Sequence, residues 1–152
     1  MWRYVILLLL LAPTTSFSQG FINKNKKQVI KMLEKYEAGA EFTTHDITET
    51  DSTVQLLIKD AAGKSTTFIY RFDKENRCHT EEIKASCDAC NKKYLQGVLD
   101  KKKYHWRKIN ENQYISGYKD QLMIELPPES NDFSYMILRT SWTKQLYEML
   151  KN

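Results

Sequence analysis

The three cysteines of this 152-residue chain, Cys78, Cys87 and Cys90, lie close together, and His79 adjoins the first. Thiolate and imidazole are zinc ligands. Cys-x-x-Cys at the start of a helix is also a redox geometry, because unpaired N–H groups and the helix dipole favour a thiolate there. Three chemistries are therefore open to the cluster. A metal site would need Cys78 and His79 to converge, yet neighbours on a strand point to opposite faces, so no metal is expected. Redox work by Cys87 and Cys90 is opposed by the negative Asp88 between them and by the lack of a thioredoxin-like context of strand, helix and proline. The remaining chemistry is a structural disulfide from Cys78 to Cys87 or Cys90, closing a loop of about ten residues for roughly 2.5 to 3 kcal/mol. We expect that bridge, with its partner open and one thiol left over.

The rest of the catalytic vocabulary is missing. His45, His79 and His105 are scattered, the five glycines are isolated from one another, and neither Gly-x-Ser-x-Gly nor His-Glu-x-x-His occurs. The pair Glu81-Glu82 sits beside lysine, as on a solvated face. No cofactor and no catalytic residue is expected. Aromatic residues and arginine dominate contact hot spots, so Tyr104, Trp106 and Arg107, with Tyr114 and Tyr118, are the binding candidates. Strand alternation would bury Tyr104 and Trp106 and leave His105 and Arg107 outside.

The first residues indicate where such a protein works. Arg3, an apolar run from Val5 to Ala12 and small residues at Ser16 and Ser18 are the parts of a secretory signal peptide, with cleavage expected after Ser18. A membrane span needs about 20 apolar residues, which this run does not supply. The protein is thus expected outside the cytosol, periplasmic or extracellular, with no stable membrane insertion after cleavage. The formal charge of +4 is spread among alternating Lys and Glu, with dense clusters only at Lys24, Lys26 and Lys27 and at Lys101 to Lys103. That spread, with an export signal, excludes nucleic acid as the partner class.

Sliding the sequence against itself gives an offset of 66: Asn25-Lys26-Lys27 against Asn91-Lys92-Lys93, Leu33 against Leu99, Met32 against Val98, and Gln55 to Ile58 against Gln121 to Ile124. Phe68-x-Tyr70 meets Phe133-x-Tyr135 at 65. Each copy reads as a helix followed by strands. Val29, Met32, Leu33 and Tyr36 share one stripe of a helix from Lys26 to Glu37, stopped by Gly39. Strands follow at Glu41 to Thr50, Thr53 to Asp60, Thr66 to Phe72 and Arg77 to Ile83, the last also compatible with a helical entry. A second helix is expected from Asp88, as N-cap, to about Lys102, with Tyr94, Leu95, Val98 and Leu99 inward. Tyr104 to Glu111, Gln113 to Tyr118, Gln121 to Leu126 and Phe133 to Thr140 are the second set of strands, with a loop at Pro127 to Asp132. Phe133 to Leu138 is apolar on both faces and should lie centrally and covered. Ser141 would cap a last helix burying Trp142, Leu146, Met149 and Leu150.

The expected class is α+β: a tandem repeat of helix plus antiparallel sheet, with a C-terminal helix. The parts are a signal peptide at 1–18, a first repeat at 19–84 and a second repeat with the last helix at 85–152. Over residues 25 to 140 this architecture resembles the beta-lactamase-inhibitor-protein-like and PepSY-like exported bacterial proteins. That resemblance implies a non-catalytic module that binds another exported or envelope protein, and the expected contact is the outer face of the sheet or the Trp106 region. A thiol-disulfide active or metal-binding protein using Cys78, Cys87 and Cys90 is the alternative.

Overall fold

The computed structural model describes residues 20–37, 44–127 and 133–151. The expected signal at 1–18, Gly39, Phe42 and the loop 128–132 lie outside the described residues. In chain order the elements are α1 (Lys26–Glu37), β1 (Thr44–Glu49), β2 (Thr53–Lys59), β3 (Ser65–Phe72), β4 (Cys78–Ala85), α2 (Asp88–Leu99), a 3-10 turn (Lys102–Tyr104), β5 (Arg107–Asn110), β6 (Gln113–Ile115), β7 (Leu122–Glu125), β8 (Phe133–Arg139) and α3 (Lys144–Lys151).

All eight strands form one antiparallel sheet in the order β1-β2-β3-β4-β8-β7-β6-β5. Aspartates set two of its hairpins. Asp60 Oδ1 accepts the N–H groups of Ala62 and Lys64, with Gly63 supplying the positive φ of 76° that the turn requires. Asp73 Oδ1 accepts those of Glu75 and Arg77 in the same way. The β4–β8 pairing, Glu81 opposite Ile137 and Ile83 opposite Tyr135, joins the two groups of strands at the centre.

Alternation and register divide the sheet into two faces. One carries the row Ile47, Leu56, Phe68, Ile83, Tyr135 and the row Val54, Tyr70, Glu81, Ile137, Ile124. These residues form a single core with Val29 and Leu33 of α1 and Val98 of α2. The segment before α1 joins it: Phe21 is buried against Tyr70, with ring centroids 4.8 Å apart. Phe21 and Ile22 N–H each donate to Glu81 Oε1 at 3.1 Å. Asn23 N–H donates to the Cys78 carbonyl, and Cys78 N–H to that of Lys24.

Several boundaries and orientations differ from the sequence reading. On α1, Val29 and Leu33 are fully buried but Met32 is 41% exposed. The α2 N-cap is Cys87, whose extended φ and ψ suit that position, and Asp88 is the first helical residue. This helix ends at Leu99; the 3-10 turn and a left-handed His105 (φ 50°) take the first residues of the strand expected from Tyr104, which starts at Arg107. β6 stops at Ile115, before Gly117, whose N–H donates to the Tyr104 carbonyl.

The last helix also starts later. Thr143, not Ser141, caps it, its Oγ1 accepting the Leu146 N–H at 3.2 Å. Trp142 is held outside the helix because its N–H donates to Gln121 Oε1. Tyr147 becomes the buried residue, between Tyr118 and Trp142, while Leu146 and Met149 are exposed.

The order of helix followed by four strands occurs twice, but the letters matched at offset 66 do not occupy equivalent places. Leu56 lies in β2, second of its group, whereas Leu122 lies in β7, third of its group. Met32 is exposed where Val98 is fully buried.

Leu33→Ala should lower the unfolding free energy by about 3 kcal/mol, and Met32→Ala by less than about 1 kcal/mol, because only the first leaves a cavity. Urea denaturation checks both, and equal losses would contradict the placement of α1.

Candidate functional site

The disulfide joins Cys87 to Cys90, and Cys78 is a buried free thiol. The expected bridge from Cys78 is thereby corrected, for a reason of length. Cys78 opens β4 and Cys87 follows its far end, so an eight-residue strand at about 3.3 Å per step holds them roughly 23 Å or more apart. A bridge between residues three apart closes so short a loop that the chain-entropy model gives it only about 2 kcal/mol. It ties the first turn of α2 to its own cap and joins no distant elements. Cys87 and Cys90 remain partly exposed. Cys90 N–H donates to Cys87 Sγ at 3.1 Å. Asp88, the charge expected to oppose a thiolate, is paired with Lys92 Nζ at 2.6 Å.

Cys78 has a different environment. Its Sγ–H points to the Thr80 carbonyl at 3.6 Å, and burial, reinforced by the negative charge of Glu81, pushes its pKa up to about 12. His79 Nδ1 is hydrogen-bonded to Thr80 Oγ1 at 2.8 Å. Among the described residues, no group of three or more His, Cys, Asp or Glu side chains is placed to hold a metal ion.

The aromatic candidates do not share a surface. Tyr104 is buried, closing the 3-10 turn, with Lys103 Nζ 4.6 Å from its ring centre. Trp106 packs against the core beside Tyr104, its buried indole N–H without a hydrogen-bond partner in the structure. Tyr114 faces the core opposite Ile124. Tyr118 is 39% exposed and packs on Tyr147. Arg107 is exposed at the start of β5, the edge strand.

The sequence points to the outer face of the sheet, the one turned away from α1 and α2, without singling out its residues. Register places Gln55, Ile69, Glu82, Met136 and Glu125 in one row there, and Arg71, Thr80, Leu138 and Met123 in the next, with Leu57 beside them on β2. Leu57, Met123, Met136 and Leu138 are only half-buried. The expectation that β8 is covered thus holds for one of its faces. Glu82 is the charged centre of this surface, bridging Arg71 at 2.7 Å and Lys84 at 3.3 Å. The alternation of Tyr70, Arg71 and Phe72 was the signal available for it.

The buried Cys78 thiol makes stability depend on pH. Its native value of about 12 exceeds the ordinary 9.0, so its contribution is complete below pH 9 and is lost as pH rises toward about 12, where the unfolded chain ionises first. In a Cys87→Ser, Cys90→Ser background, which prevents disulfide shuffling, the unfolding free energy should fall more steeply across that window with Cys78 than with Cys78→Ala. Parallel curves from denaturant titrations would contradict this burial.

No helix of the described residues is long and apolar enough to cross a membrane. Comparison with protein-family models, curated proteins and solved structures gives no match, so the site stands on its own geometry.

Proposed function

We propose that this chain is an exported, non-catalytic module that binds another exported or envelope protein through the sheet face opposite α1 and α2. The observation that carries this reading is the half-buried set Leu57, Met123, Met136 and Leu138 on central and inner strands, arranged around the Arg71–Glu82–Lys84 ion group. Such a face offers an apolar centre with fixed charges for register, the composition of a protein contact surface. Met136 and Met123 add side chains that adapt to a partner's shape. Arg107 continues the row of Met123 through Ile115 to the β5 edge and would extend the contact.

Export is supported by two features. The disulfide Cys87–Cys90 suits an oxidising compartment. Cleavage after Ser18 would leave Phe21 just inside the new terminus, and among the described residues Phe21 is the first built into the core. The twice-used order of helix and four strands supports descent from a duplicated module.

Two variants of the face, Leu57→Glu and Leu138→Glu, should keep the thermal transition of the wild type and lose the partner captured from the exported fraction after cross-linking. Lys31→Glu, on the exposed side of α1, should retain it. Capture of the same partner by all four proteins, or of none by the wild type, would overturn the proposal.

A further inference from the structure

The Cys87–Cys90 disulfide has no role in the proposed contact face. We propose that it is an exchange site that accepts two electrons from a dithiol on a peptide or protein. Three features of its position support this. Both cysteines are partly exposed, so an incoming thiolate can reach the bond. The bond lies within one helical turn, and α2 is independently held by Val98, Tyr94, Leu95 and Leu99 in the core, so opening it need not release the helix. Cys90 N–H points at Cys87 Sγ at 3.1 Å, in the first turn of α2, which stabilises negative charge on that sulfur. The pairing of Asp88 with Lys92 offsets the carboxylate that would otherwise oppose this charge.

The exchange balances as follows. A substrate thiolate attacks Cys87 Sγ, forming a mixed disulfide, and the Cys90 sulfur leaves with the bonding pair and takes the proton the substrate thiol gave up. The second substrate thiolate then attacks the substrate sulfur of the mixed disulfide and expels Cys87 as a thiolate beside the Cys90 N–H. The substrate is oxidised to a disulfide, and the bond is reduced to a Cys90 thiol and a Cys87 thiolate, the proton of the second substrate thiol going to solvent. Cys78, buried in the core, takes no part.

The test treats the full, folded chain with reduced dithiothreitol, quenches by alkylation and counts labelled cysteines by mass spectrometry. Cys87 and Cys90 should become labelled roughly tenfold faster than glutathione disulfide is reduced under the same conditions, with Cys78 unlabelled and the circular dichroism unchanged. With oxidised glutathione, Cys90→Ser should form a mixed disulfide at Cys87 faster than Cys87→Ser forms one at Cys90. The proposal is overturned if the bond opens only when the protein unfolds, if it opens no faster than glutathione disulfide, or if the two single variants react alike. None of these readings depends on a partner at the sheet face.

Discussion

A single carboxylate organises the centre of this protein. Glu81 lies in the core row of β4 between Tyr70 and Ile137 and is 1% exposed. A charge there is tolerated only if its oxygens are satisfied. Phe21 and Ile22 supply two N–H groups to one of them. Its field also reaches Lys101, just past α2: burial draws the pKa of that ammonium down, and Glu81 acts against the shift. One side chain thus joins the segment before α1, the middle of the sheet and the end of the second helix. Removing it would leave two buried amides unpaired, which is costlier than the bonds themselves.

From that centre the two-sided character of the sheet follows. β4 and β8 pair in the middle, so each must present one face to α1 and α2 and another away from them. On β2 to β4 the inner face is apolar apart from Glu81 and the hydroxyls of Thr66 and Tyr70. The outer face mixes aliphatic side chains with the Arg71–Glu82–Lys84 group. At one end of the sheet Arg139 fastens the entry segment, pairing with Asp73 at 2.6 Å and donating to Asn23 at 2.9 Å. The backbone N–H of Arg77, followed by Arg139, holds the Asp73 carboxyl below its usual range, so the clamp is charged at neutral pH.

Local order was legible in the sequence, and long-range order was not. The span Lys26–Glu37, the strands around Leu56 and Phe68 and the α2 start after Cys87 follow from periodicity and turn residues a few positions apart. The pairing of the cysteines did not, because spacing along the chain hides the length that an extended β4 puts between Cys78 and Cys87. Tyr104 to Trp106 read as strand by alternation, which gives no sign of the left-handed turn at His105 that delays β5 to Arg107. Met32 and Leu146 sit at helical spacings that fit an apolar stripe, yet the direction each helix faces is set by its neighbours. Glu81 is the sharpest case. Beside Glu82 and Lys84 it reads as a solvated charge, and only the return of residues 21 and 22 across β4 makes it internal.

Amide hydrogen exchange at Phe21 and Ile22 tests the organising role of Glu81 most directly. If Glu81 holds both amides inside the core, they exchange as slowly as the Ile83 amide of β4. Exchange at the rate of an unstructured chain, with Ile83 still protected, would contradict it.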